Sequence, residues 1–211
     1  MIIKCSETKT EQLYRILIGS VVPRPIAWVS STSAKGVDNL APFSFYNVFS
    51  IKPPMLGFSP GYKRPATANS AAIAKDTLSN VRETGEFVVN VVSQFLAEQM
   101  NQSSADYAPD VSEFAAVNLT ATACTIIKPP RVGEALINME CKVFHIHDLG
   151  GSALVLGEIV CIHLSDEVVK TDAAGGGQIS IDLDALQPVG RLSGNLYSTV
   201  RDQFEIARPV I

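Results

Sequence analysis

The 211-residue chain has only three histidines, one tryptophan and four cysteines, and these scarcities narrow its chemistry at once. Cys5, Cys124, Cys141 and Cys161 stand far apart without any C-x-x-C pair, so neither a zinc site nor a disulfide framework is indicated. Reduced, mostly buried thiols are expected instead. His145, His147 and His163 all fall on two neighbouring apolar segments, and no G-x-S-x-G occurs, which speaks against a serine hydrolase. His145 and His147 share a strand face at a spacing that some metal sites use, yet no third ligand lies nearby in sequence. A rim or interface pair is favoured over a metal, and His163 reads as a cross-strand neighbour. The chain also lacks an excess of positive charge: 17 basic and 21 acidic residues leave a net charge of -4, which argues against a broadly basic nucleic-acid surface. No run of about 18 apolar residues occurs, and the first residues do not form a basic segment followed by an apolar one. The expectation is a soluble, unexported, cytoplasmic protein with no membrane partner. A dinucleotide fingerprint is missing too. The stretch AAGGGQ at 173–178 lacks G-x-G-x-x-G spacing and follows KTD rather than a strand, so it reads as a mobile loop.

What is present is apolar and strand-rich. Hydrophobic residues make up 46% of the chain, ample for a core, and no repeat, low-complexity tract or long linker divides it. One domain over residues 1–211 is expected. Thr8-x-x-Glu11 resembles a capping box, with Leu13, Ile16 and Leu17 at helical spacing until Gly19. Segments 25–33, 39–48, 54–60, 86–92, 121–127, 136–147 and 153–164 are rich in β-branched and apolar residues, bounded by Gly, Pro and Asn. The last two are joined by DLGGS, which predicts an antiparallel hairpin. Helices are expected from Asp76 to Thr84, closed by Gly85, and from Ser93 to about Gln102, where Phe95, Leu96 and Met100 share a face. Many strands with few helices and no βαβ alternation point to a closed or sandwiched antiparallel sheet.

Three stretches carry polar groups where a plain strand or helix would not. NLAPFSFYN at 39–47 reads as a strand with Pro42 in it, and a central strand cannot spare that N–H. In WVSSTS at 28–33, four consecutive hydroxyls end an apolar strand, as either a solvated turn or a cradle for a polar chain such as ribityl phosphate. AKDTLSN at 74–80 opens a helix with Asp76 or Thr77 as N-cap. Taken alone it fits plain capping or an anion site, and the Asp76 carboxylate speaks against the anion. The segment SSADYAPDVS at 103–112 reads as a surface excursion in preference to a lid.

The succession VVPRPIAWVSST (21–32), NLAPFSFYNVFSIKPPML (39–56), KDTLSN (75–80), GEFVVNVV (85–92), KPPRVGEALINMEC (128–141) and PVGRLSGNLYS (188–198) resembles the flavin reductase-like, FMN-binding split-barrel family. The resemblance runs in family order from about residue 11 to the C-terminus. It implies a mainly β fold with added helices, a six-stranded antiparallel Greek-key split barrel, and a homodimer with one FMN per subunit near the interface. It also implies an NAD(P)H-dependent FMN reductase, with NADH or NADPH as transient co-substrate, supplying a monooxygenase or another electron acceptor. The alternative is a flavoredoxin-type electron carrier without direct nicotinamide turnover.

The family pattern places Trp28, Val29, Ser30, Ser31 and Thr32 beside the flavin ring and ribityl chain. Asn39, Ala41, Pro42, Phe43 and Ser44 become a second wall, with Ser44 aimed at the polar ring edge. Lys75, Asp76 and Thr77 lie near the phosphate, with Asp76 as the cap that orients the turn. Arg191, Asn195 and Tyr197 close over the cofactor or reach it across the dimer. In this reading the flavin carries the redox chemistry, so no side chain is expected to be a nucleophile.

Overall fold

AWVSST and FVVNV both form strands buried on both faces. In this computed structural model, which describes residues 1–63, 73–108, 110–172 and 177–210, seven strands build the main sheet. They are β1 (Ala27–Thr32), β2 (Asp38–Phe43), β3 (Tyr46–Ile51), β4 (Pro54–Phe58), β5 (Glu86–Val91), β6 (Ile137–Asp148) and β7 (Ala153–Leu164). Their order is β2-β1-β5-β6-β7-β4-β3, and every pairing is antiparallel. The two edge strands, β2 and β3, are consecutive in the chain and joined only by Ser44 and Phe45. Opposite edges so tightly linked require the sheet to roll up, and the Phe43 and Phe58 rings meet at 5.1 Å across that seam. Phe87 meets Phe58 at 5.2 Å, and with Val29, Val89 and Val155 these rings fill the rolled interior. Each such side chain contributes roughly 2–3 kcal/mol by leaving water.

The other face of β1 and β5 is covered by short helices. Trp28 and Leu40 pack there with Leu96, Met100 and Phe114, contributed by the turn at 94–96, by α3 (Ala97–Gln102) and by α4 (Glu113–Ala116). The helix labels start with α1 (Thr10–Ser20) and α2 (Asp76–Thr84), and Gly85 closes α2 in the left-handed conformation at φ 71°, as expected from sequence. The long β6–β7 hairpin also forms where DLGGS predicts it, with two register shifts along its length.

The structure corrects several expectations. The main sheet has seven strands where the resemblance implies six; of the seven apolar segments, 39–48 bends at Ser44–Phe45 into two strands, whereas 121–127 leaves the sheet and shrinks to a two-residue pairing at Ala121–Thr122. Pro42 does not interrupt β2 but sits opposite Trp28 within it. Leu40 sends its N–H off the sheet, to Glu113, so Pro42 two residues later has its missing donor on that same open edge, where it costs no ladder bond. Phe45 lies outside the barrel, about half exposed, because the bend reverses its face. The Thr8 capping box does not form; Thr8 bonds the Lys4 carbonyl, and no side chain caps α1. On α1 the buried residue is Ile18, while Ile16 and Leu17 face outward. Phe95 is likewise exposed, because residues 94–96 form a tighter 3₁₀ turn before α3. Of the four free thiols only Cys141 is buried; Cys5 is exposed, and Cys124 and Cys161 are half-buried. The glycine-rich stretch at 173–176 lies outside the described residues.

Candidate functional site

The open edge of β2 forms the floor of a continuous groove. One cleft, of about 620 Å³, runs between Asn39 and Ala41 on β2, the start of α2, and the chain after α3 from Ser103 to Tyr107. A second hollow of about 420 Å³ continues from it past Pro42, Phe43 and Ser44 toward the C-terminal hairpin, with Ser104 in both walls. The segment after α3 is therefore a wall of the groove rather than a surface excursion. Trp28 Nε1 donates to Ser103 Oγ at 2.9 Å and anchors that wall to β1.

At one end of the groove, the N-cap position of α2 is Lys75, not Asp76 or Thr77, and the Lys75 side chain makes no cap hydrogen bond. The first-turn amides of a helix have no intrahelical acceptor, so this end presents donors and a positive partial charge. Asp76 is the first helical residue, and Lys63 holds both its carboxylate oxygens at 3.0 Å. That ion pair moderates the repulsion that an anion would meet. Lys75 itself is exposed beside the cleft. Thr77 is buried, with Oγ1 accepting from Asn39 Nδ2 at 2.9 Å. Glu113 closes the wall; burial raises its pKa, although the Leu40 N–H and its own N–H pull the other way.

The hydroxyls of β1 are spent inside the protein. Ser30 is fully buried, donates to the Pro130 carbonyl and accepts from Asn90 Nδ2 at 3.3 Å. Ser31, equally buried, accepts from Asn80 on α2 at 3.1 Å, and Thr32 donates to Asp38 at 2.6 Å. With the fully buried Trp28 and Val29, they stand behind β2 and fix its place. Arg191 and Tyr197 do lie in the groove, in the second hollow, with Asn195 exposed at its rim. Thus Asn39, Ala41, Lys75, Asp76 and Thr77 line the first cleft, and Pro42, Phe43, Ser44 and the C-terminal residues line the second.

Two polar centres escaped the sequence reading. Asn90 of β5 is a buried hub that donates to the Trp28 carbonyl and accepts from Val132 N–H at 2.9 Å and Asn138 Nδ2 at 2.8 Å. Its only sequence signal is a lone amide inside FVVNVV. Glu140, also buried, receives the N–H groups of Thr125, Ile126 and Ile127 and touches His163 Nε2 at 2.6 Å. Burial works to raise its pKa, but those donors outweigh it and hold the carboxyl near 2. Cys161 shares this cluster, with the three ligand atoms within 4.8 Å of one another. The carboxylate is already filled by backbone donors and acts as the clamp of the 125–127 loop. His145 and His147 stack at 6.3 Å between centroids on the exposed end of the hairpin. Burial pushes the Cys124 thiol up to about 12, with the Glu140 charge adding to it, so Cys124 stays protonated near neutral pH. Among the described residues no helix is long and apolar enough to cross a membrane.

Comparison with known proteins adds to this geometry. Residues 18–175 match the model of the flavin reductase like domain. The chain is 40% identical to the uncharacterized protein BH2278 of Halalkalibacterium halodurans over 204 residues, covering 94% of this chain and 91% of that protein. The crystal structure of nitrilotriacetate monooxygenase component B from Bacillus cereus superposes with a TM-score of 0.88 at 32% identity, covering 98% of each chain. The Pseudomonas fluorescens 2-nitrobenzoate 2-nitroreductase NbaA superposes with a TM-score of 0.85 at 33% identity, covering 99% of this chain and 96% of the other.

Proposed function

We propose that this chain, which belongs to the flavin reductase like domain family, holds FMN along the β2 groove and reduces it with NADH or NADPH. The observation that carries this reading is the start of α2, flanked by Lys63 and by a Lys75 N-cap that makes no side-chain cap bond, at one end of a groove whose floor is a strand edge unpaired among the described residues. The residues present fit the cofactor. First-turn amides of α2 with Lys75 suit a phosphate, Asn39 sits where a polyol chain would follow, and the outward carbonyls of β2 with the Ser44 hydroxyl suit a polar ring edge.

Bound FMN supplies the hydride-accepting ring, and the protein's residues need only place it. Trp28 anchors the Ser103 wall, Asn39 ties β2 to α2, and Glu113 locks the β2 edge through Leu40. These fixed contacts orient two flat partners against each other and lower the entropic cost of their meeting. The open second hollow leaves room for the partner to arrive and leave.

The working unit in this reading is a homodimer in the cytoplasm. Its support is the apolar outer surface of β3, where Val48, Phe49 and Ile51 are all exposed. The reduced flavin would pass to a monooxygenase or another acceptor.

Steady-state oxidation of NADH and of NADPH with added FMN tests the proposal. Turnover with either supports it. Tight, yellow FMN without turnover would replace it by a flavoredoxin-type electron carrier.

A further inference from the structure

Arg24 and Arg191 face each other in an isolated antiparallel bridge. They exchange both backbone hydrogen bonds, Arg24 N–H to the Arg191 carbonyl at 3.0 Å and Arg191 N–H to the Arg24 carbonyl at 2.8 Å. Residues paired this way send their side chains to one face, with Cα atoms about 5.5 Å apart. Two permanent cations therefore rise from the same side of the same bridge. Gly190 permits this close approach, because a Cβ there would come within 2.8 Å of Pro23 Cβ.

Neither cation has a counter-charge. Arg24 is 6% exposed; its Nη1 donates at 2.7 Å to the Ile18 and Val21 carbonyls near the end of α1, and Nη2 donates to the Leu192 carbonyl at 2.9 Å. These carbonyls satisfy donors and offer the partial negative charge of a helix end, not a full one. Arg191 lies with its guanidinium 4.4 Å over the Tyr197 ring and donates to the Gly194 carbonyl. Among the described residues, neither forms an ion pair. Both line the second hollow of the groove, whose wall contains no Asp or Glu; Glu11 lies beyond it, in the outer hollow it shares with Arg15. Capping α1 accounts for Arg24 alone and leaves a like charge directly opposite it unexplained. Such an arrangement is unfavourable until an anion joins it.

The cofactor's own phosphate is not that anion in the reading above, because it sits at α2. From Asn39 beside α2 to Ser44, just past the end of β2 and beside the arginines, the chain advances five residue steps, roughly 17 Å at strand rise. Beside the arginines, the wall of this hollow includes Tyr14 and Pro42. We propose that Arg24 and Arg191 form an anion subsite that holds the carboxylate or phosphate of the aromatic co-substrate meeting the flavin. The identity of that bearer rests on the flavin reading; the subsite itself rests on the paired charges.

Two probe pairs test it: benzoate against benzamide, matched in shape and differing in charge, and nicotinamide mononucleotide against nicotinamide riboside, which share a cationic ring and differ by the anionic phosphate. Binding is read both from the flavin absorption spectrum and from the fluorescence of Trp28, the sole tryptophan, whose strand partner Pro42 is in the wall. The anionic member of one pair should bind about tenfold tighter or better, as expected for a charge-assisted contact. Arg191→Gln should abolish that preference while leaving the member without the carboxylate or phosphate within about twofold, and Arg191→Lys should keep part of it. The pair that shows the preference identifies whether the anion is an aryl carboxylate or a nucleotide phosphate. Absence of preference for the carboxylate- or phosphate-bearing member in both pairs, or equal loss for both members of a pair in Arg191→Gln, overturns the proposal. So does an Arg191→Gln protein that loses FMN but keeps riboflavin, since the arginines would then serve the cofactor phosphate. A protein without flavin affinity that still prefers anions by Trp28 fluorescence would retract the flavin reading and leave the subsite standing.

Discussion

Asn39 donates its Nδ2 hydrogen to Thr77 Oγ1 at 2.9 Å, and because both residues are buried the bond ties the edge strand β2 to the first turn of α2. The Ser31–Asn80 bond repeats the link from β1 one turn later. The phosphate end and the ring end of the proposed groove are thereby held in one frame. Thr77→Val keeps the shape and removes the acceptor, leaving the Asn39 amide unpaired, at a cost of about 1–3 kcal/mol. We expect denaturant unfolding to register that loss and FMN affinity to fall by about tenfold. Unchanged affinity in a destabilised protein would show that the link serves the fold alone.

Lys75 stands exposed at the start of α2. Lys75→Ala should weaken FMN by about fivefold and leave riboflavin unaltered, because an exposed charge near a helix terminus is worth about 1 kcal/mol to an anion. Titration of both flavins by fluorescence quenching separates the cases. Equal losses would remove Lys75 from the phosphate site.

Glu140 links stability to pH. Its folded pKa near 2 lies below the ordinary carboxylate value, so its contribution is fully present above about pH 4.5 and drains away as pH falls toward 2. Glu140→Gln loses the charge that holds the Thr125, Ile126 and Ile127 amides and His163, for about 3 kcal/mol at neutral pH. Thermal unfolding should drop by roughly 6–12 °C at pH 7. The gap between the two proteins should narrow in acid. A gap independent of pH would assign the effect to packing.

Exposed Phe49 and Ile51 on β3 motivate the dimer. Light scattering of the FMN-bound protein should give twice the 22.6 kDa chain mass, and Ile51→Asp should shift it toward the single chain. A monomeric mass for the unaltered, FMN-bound protein would contradict the homodimer.

Local signals were enough for much of the fold. The Gly85 stop of α2, the DLGGS turn and the apolar runs of β1, β5, β6 and β7 were legible because each depends on neighbours within a few residues. The motif succession likewise pointed to the family on sequence alone. Other features depended on distant partners and were misread. Ser30 and Ser31 looked like a solvated or ligand-facing edge, yet Pro130, Asn90 and Asn80, 49 to 100 residues away, take up their hydroxyls. Thr8 looked like a cap because the right residue types stood at the right spacing, but the helix starts at Thr10 with Lys9 in the N-cap position, and the Thr8 hydroxyl donates to the Lys4 carbonyl instead.

The sequence by itself determined the strand-rich class, the order of the elements and the polar residues of β2 and α2, since periodicity and turn chemistry are local. Only the tertiary structure decided which edge stays open, how the wall after α3 closes the groove, and that two arginines face each other across a gap of 167 positions in number. The physical reason is that rolling the sheet joins its first and last edges at Ser44–Phe45, and burial and charge pairing follow from that closure rather than from any local pattern.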